Sequence, residues 1–230
     1  MLVDLDGTII IEKRTAEEAW EAVCCEAGPT AGLDAAELQA AIRTAADWFW
    51  SDTERGHRGR IDLHAATRQI VERAMTALGT ATFELAGHIA KSFRQLRDEY
   101  TMRSGSIETL EELHTRGVTL ALITNGAGPV QRAKIAQFGL ARFFQHIFVE
   151  GELDFGKPDE RMYRHALAAM EKSASEMWIV GDNLEWEVAV PQRLGFYAIW
   201  VDSLGRGLPA MSPVKPDRII RSLPELLPPE

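Results

Sequence analysis

The hydrophobic pattern of the chain changes period part-way along. Between residues 12 and 100, apolar positions recur three and four apart, as on one face of a helix. Thr15 reads as an N-cap with Glu18 three residues on, and Ala19, Trp20, Val23 and Cys24 mark the buried stripe that follows. Gly28-Pro29 is expected to break this first helix. Asp34 is placed to open AAELQAAIRTAADWFW, and Asp62 to open LHAATRQIVERAMTAL, which Gly79 ends. Thr82 opens a fourth helix running to about Tyr100. Between these, Trp48 to Arg60 (WFWSDTERGHRGR) shows no clear period and reads as irregular.

From Ser106 onward helices alternate with short apolar runs. SIETLEELHTRG is helical and ends at Gly117. VTLALIT is a strand, PVQRAKIAQFG is a helix closed by Gly139, and HIFVE is a strand. Pro158 sits at the start of the helix ERMYRHALAAME, where its fixed φ is favourable. MWIVG, YAIWV and DRII are further strands, and the terminal LPPE is expected to fray. Alternation at this spacing implies βαβ units around a parallel sheet. The fold class is therefore α/β. A core made of residues 1–11 and 101–230 is interrupted by a helical insertion at 12–100.

Composition adds exclusions. With 46% hydrophobic and 26% charged residues, the chain has the make-up of a soluble globular protein. A net charge of −9 argues against nucleic acid as a partner, although a lysine and a metal can still reverse the potential in one pocket. No apolar run approaches the length of a membrane span, and no basic n-region marks a signal peptide, so a cytoplasmic setting is expected. Cys24 and Cys25 are adjacent in a helix, which suggests core or boundary residues rather than a disulfide framework. The six histidines show no metal-ligand spacing.

The candidate chemistry lies at the ends of the apolar runs. The chain begins MLVDLDGTII, so Asp4 and Asp6 follow a short apolar run that Gly7 and Thr8 terminate. On a continuing strand the two carboxylates would share a face, and magnesium, which takes hard oxygen ligands and few carboxylates, would relieve their repulsion. A strand end followed by a polar turn is the simpler reading of this stretch alone. Only Met1, Leu2 and Val3 precede the first acid, so either the strand is short or the natural chain starts earlier. Two later runs end similarly: LITNG in Thr124, Asn125 and Gly126, and WIVGD in Gly181 and Asp182. In GKPD, Lys157 precedes a helix. Ligands of open α/β sheets bind at the carboxyl ends of the strands, which would bring all four signals to one crevice.

These motifs, in this order, resemble those of the haloacid dehalogenase superfamily of hydrolases. Asp4-Leu5-Asp6-Gly7-Thr8 matches its DxDGT motif, and Thr124, Lys157 and Gly181-Asp182 match the second, third and fourth. The resemblance implies a Rossmann-like three-layer core and an all-helical cap inserted after the first strand. It also implies a magnesium-dependent phosphatase acting on a small phosphorylated metabolite through an aspartyl-phosphate. By that resemblance Asp4 is the nucleophile, and Asp6 protonates the leaving oxygen and then activates water. The Thr124 hydroxyl binds the phosphoryl group, helped by backbone N–H groups of Asn125 and Gly126, and Lys157 supplies positive charge. Magnesium is held by Asp4, the carbonyl of Asp6, and Asp182. The dehalogenase branch lacks the second acid, so Asp6 points to phosphoryl chemistry.

One position departs from the motif: the acid five residues after Asp182 is Glu187 where Asp is usual. Glu187 either reaches the metal or its waters, or is a helix-surface acid near a helix N-terminus. Pro191 fits if it falls in a first helical turn. In the insertion, Arg55, Arg58 and Arg60 are either substrate contacts or parts of a solvated loop beside packed Trp48 and Trp50. A phosphosugar mutase or other phosphotransferase, and a non-enzymatic binding protein on the same fold, remain the alternatives.

Overall fold

A computed structural model describes residues 1–80 and 83–228, without the side chains of Ala31 and Phe83. The chain divides into two compact units, Met1–Ile11 with Thr101–Glu230, and Glu12–Tyr100.

The second unit is helical: α1 (Ala16–Ala31), α2 (Ala35–Trp50), α3 (Thr53–Ile61), α4 (Leu63–Ala77) and α5 (Phe83–Arg97). Thr15 and Glu18 form a reciprocal capping box at α1. Asp34 and Asp62 accept backbone N–H bonds at the starts of α2 and α4. The expected helix opening at Thr82 lies outside the described residues. Two expectations fail. Gly28-Pro29 does not break α1, which continues to a left-handed cap at Gly32. Pro29 lies in the last turn, where the N–H it lacks removes one backbone bond and little remains of the helix to disrupt. The stretch after Trp50 is not an irregular loop but α3, with Asp52 accepting from the Arg55 N–H at 2.7 Å. Its two glycines and run of charges give no apolar stripe, so periodicity is blind to it.

The unit's core is aliphatic and aromatic, with Trp20 stacked on Phe93 at 3.6 Å between ring centroids. Trp48 lies between two guanidiniums, Arg55 and Arg73, each 3.9 Å from its ring centroid. Arg55 also donates to the carbonyls of Phe49, at 3.0 Å, and Trp48. Arg55 is thus a tie that closes the α2–α3 corner, and Arg58 pairs one turn back with Glu54. Arg55→Ala is therefore expected to destabilise the protein by about 1–2 kcal/mol, from one cation–π contact and two hydrogen bonds. Urea unfolding checks this, and an unchanged midpoint would contradict it.

The first unit is α/β. Its elements are β1 (Leu2–Val3), β2 (Ile10–Glu12), β3 (Tyr100–Met102), α6 (Ser106–Thr115), β4 (Ala121–Thr124), α7 (Gly128–Gln137), β5 (His146–Val149), α8 (Glu150–Leu153), α9 (Glu160–Ala169), β6 (Trp178–Gly181), α10 (Val190–Leu194), β7 (Tyr197–Val201) and β8 (Arg218–Ile220). Six strands form one parallel sheet in the order β5-β4-β1-β6-β7-β8. Leu2, Ile123, Ile179 and Ala198 join a cluster with Met162, Tyr163 and Ala166 of α9. The alternate residues Val3, Leu122, Val180 and Ile199 are buried as well, which explains continuous apolar runs rather than alternation. The fold is Rossmann-like.

β1 has only two residues, yet it is the centre of the sheet. Leu2 pairs with Ala121 on one side and Ile179 on the other, so neighbours supply the stability that length does not. The chain runs outward from β1 through β4 to β5, then returns to the other side of β1 with β6. That reversal puts a crevice at the carboxyl end of β1. Pro158 is not the first helical residue: Asp159 caps α9, its carboxylate accepting from the Arg161 N–H. The Asp159 carboxylate is the better cap, and its other oxygen pairs with the Arg161 guanidinium, so the helix starts two residues later. Among the described residues, no helix is long and apolar enough to cross a membrane.

Candidate active site

Asp4 leaves the end of β1 and is 4% exposed. Both its oxygens are engaged: Thr8 Oγ1 donates to Oδ2 at 2.9 Å, and Lys157 Nζ to Oδ1 at 2.6 Å. Lys157 is 1% exposed and has two further acceptors, Glu187 Oε1 at 2.7 Å and the Ile123 carbonyl at 3.2 Å. Burial alone would lower the Lys157 ammonium, but Asp4 and Glu187 outweigh it and hold the amine protonated. The Asn125 side chain sets the lysine's place, accepting from the Lys157 N–H at 2.9 Å and donating to the Lys157 carbonyl at 2.6 Å.

Glu187 is neither exposed nor on a helix surface. It is fully buried at 0% exposure, in a π-helical turn at Leu184–Ala189, and its Oε2 accepts from the Asn183 N–H at 3.0 Å. The surface reading fails because the wide turn points this side chain inward, to Lys157. Pro191 does fall in the first turn of α10. Gly181 is what lets Glu187 pass: a Cβ there would lie 2.1 Å from Glu187 Cγ and 3.0 Å from Asp4 Cβ. Burial pushes the Glu187 carboxyl up to about 8, against the pull of Lys157, and raises Asp4 likewise.

Asp182 follows β6. Gly7, at φ +85°, passes so close that a Cβ there would lie 2.1 Å from Asp182 Oδ2, so this carboxylate rests against the loop between Asp6 and Thr8. Burial and then the Asp4 charge push the Asp182 carboxyl up to about 7, although water at its exposed edge screens part of that push.

Asp6 and Thr124 meet through a residue that the motifs did not mark. Gln131 Nε2 donates to Asp6 Oδ2 at 2.7 Å and to Thr124 Oγ1 at 2.5 Å. Lys134 Nζ donates to Asp6 Oδ1 and Oδ2, at 2.8 and 3.0 Å. Gly126 behaves differently from expectation. Its N–H donates to Glu150 Oε2 at 2.9 Å, so that donor is already committed to a fully buried carboxyl.

A family model described as haloacid dehalogenase-like hydrolase matches residues 1–195. The chain belongs to that family. It is similar to the phosphoserine phosphatase of Thermus thermophilus, with 30% identity over 98% of this chain and 96% of that protein. It is also similar to (S)-2-haloacid dehalogenase 2 of Pseudomonas sp. (strain CBS-3), with 26% identity over 51% of this chain and 50% of that one. The fold matches that of the HAD-hydrolase YfnB from Bacillus subtilis, with a TM-score of 0.70 and 21% identity, covering 98% of this chain and 95% of that one.

Within this hydrolase, the donor chemistry suits a hard divalent cation. Asp4, Asp182 and Glu187 are three carboxyls around one ammonium, and the Asp4 charge raises the proton affinity of Asp182 and of Glu187 by repulsion. Among the described residues no three His, Cys, Asp or Glu side chains gather closely enough to cage an ion unaided. Magnesium does not require a cage, since it keeps waters and takes substrate phosphate oxygens.

Residues outside the motifs also contact this site. Arg103 Nε donates to the Gly7 carbonyl at 2.8 Å and Nη2 to Ser203 Oγ at 3.0 Å, which ties down the loop after Asp6. Gln131 and Lys134 stand three apart on α7, the spacing of one helix face. That spacing, just after Thr124-Asn125-Gly126, was the available signal for both.

Proposed function

We propose that this hydrolase is a phosphatase that cleaves a small phosphorylated metabolite through a phospho-enzyme on Asp4. The observation that carries the reading is Asp6, a second carboxylate held by Gln131 and Lys134 near the Asp4 site. Displacing a halide from carbon needs no proton donor for the leaving group, whereas an alkoxide leaving phosphorus does.

In the proposed reaction an Asp4 oxygen attacks phosphorus, forming an acyl phosphate as the bond to the ester oxygen breaks. Asp6, entering this step as the neutral acid, gives its proton to that departing oxygen and is left as the carboxylate. Water then attacks phosphorus of the acyl phosphate, Asp6 takes the water's proton, and Asp4 and phosphate are released. Lys157 favours the ionised form of Asp4 against its burial and offsets negative charge beside it. The Thr124 hydroxyl donates to a phosphoryl oxygen. Asp4, Asp182 and the Asp6 carbonyl would hold magnesium, which supplies neutralising charge for the phosphoryl oxygens. The helical insertion at 12–100 serves as the cap that selects the substrate.

The relatives named as dehalogenases favour a second reading, in which Asp4 attacks the carbon of a 2-haloacid. One experiment separates the two. Phosphate release over a panel of phosphate monoesters, phosphoserine included, is measured beside halide release from (S)-2-chloropropionate. We expect phosphate release that magnesium supports and a chelator stops. Halide release without phosphate release would replace the phosphatase reading with the dehalogenase one.

A further inference from the structure

Asp6 is a third exposed, but the two side chains that grip it are not: Lys134 is 6% exposed and Gln131 2%. A surface carboxylate with mobile partners would sample several rotamers. This one has a buried ammonium spanning both its oxygens and a buried amide on Oδ2. The amide's orientation follows from its neighbours, because turned over it would set its carbonyl oxygen against a carboxylate. Burying a lysine costs several kcal/mol unless it is paired, so the pairing with Asp6 also holds this buried ammonium in place.

The same amide acts on Thr124. With Gln131 donating to Oγ1, the threonine oxygen is an acceptor there, and its hydrogen is turned toward the Asn125 carbonyl at 3.4 Å. That contact is long for a hydroxyl donor, so the hydrogen can pass to a better acceptor at little cost.

We infer that Gln131 and Lys134 are positioning residues for the two halves of phosphoryl transfer: they hold Asp6 in line with the leaving oxygen, and Gln131 turns the Thr124 hydroxyl into a donor for the phosphoryl group. This rests on the phosphatase reading. Because the anchors sit on α7 rather than on the loop carrying Asp6, the carboxylate is held from a second element as well as by its own backbone. General acid catalysis matters most when the leaving group is poor. Loss of the anchors should therefore cost little with a good leaving group and much with a poor one.

The test is a series of substituted phenyl phosphates, with kcat/KM followed against leaving-group basicity in wild type, Lys134→Met and Gln131→Leu. Lys134→Met is expected to lose about tenfold more on phenyl phosphate than on p-nitrophenyl phosphate. Asp6→Asn should steepen the dependence similarly, and adding Lys134→Met to it should change the slope no further, because both act through one carboxylate. A merely structural role would lower all esters by one factor. Equal loss across the series, or an additive double variant, overturns the inference. If Lys134→Met does not fold, Gln131→Leu carries the same comparison. Wild type that releases phosphate from no ester refutes the phosphatase reading and this inference with it, whereas active wild type with unchanged slopes in both variants refutes the positioning role alone.

Discussion

Asp4→Asn is expected to abolish phosphate release, by roughly 10⁴-fold or more, while the protein keeps its fold. An amide cannot form the acyl phosphate at a useful rate, so the loss falls on the first chemical step. The fold survives because of how charge is shared around Lys157. Its ammonium serves both Asp4 and Glu187, and with Asp4 neutral the buried pair Lys157–Glu187 remains one to one. Asn at position 4 can still accept from Thr8 or Lys157. Removing one of the carboxyls that repel Asp182 also relieves the site. The melting temperature should therefore be equal to or above that of wild type, while inorganic phosphate release is lost. Retained turnover in the purified variant would exclude Asp4 as nucleophile.

Lys157→Met is expected to do the opposite, costing both activity and stability. The side chain is nearly matched in volume, so the effect isolates the charge. Asp4 and Glu187 would be left buried with no cation between them, and breaking a buried pair this way costs about 3–5 kcal/mol. The loss should depend on pH, with a definite sign. The Glu187 carboxyl is already held up at about 8 in the fold, against 4.5 ordinarily, and losing the ammonium raises it further. A carboxyl that binds its proton more tightly in the fold stabilises it fully below the ordinary value, and that contribution fades as pH rises through the folded value. Lys157→Met should therefore be least impaired near pH 5 and worst above pH 8. Thermal melting across that range reads it, and a deficit that grew toward acid pH would contradict the assignment.

Much of this protein is determined by local pattern. Apolar runs ended by small polar residues, and helices between them, suffice for a parallel α/β core, because a strand buried on both faces must be apolar throughout. Capping is local too, which is why Thr15, Asp34 and Asp62 are legible as helix starts. The motif residues Asp4, Asp6, Thr124, Lys157 and Asp182 stand at or just after strand ends and in the loop between α8 and α9, where backbone order alone directs them to one crevice.

Other features depend on distance in space rather than in sequence. α3 lacks an apolar stripe and is held by an aspartate cap and by Arg55 against Trp48. Pro29 stays helical because it comes late enough to cost one bond. Glu187 as a lysine partner was unreadable, since its inward course depends on a wide turn and on the missing side chain at Gly181. Gln131 and Lys134 reach Asp6 across more than a hundred residues of chain, at separations of 125 and 128. Such pairings arise because the parallel sheet sets β4 beside β1, and a buried charge, wherever the sequence puts it, must find its partner among whatever the fold brings near.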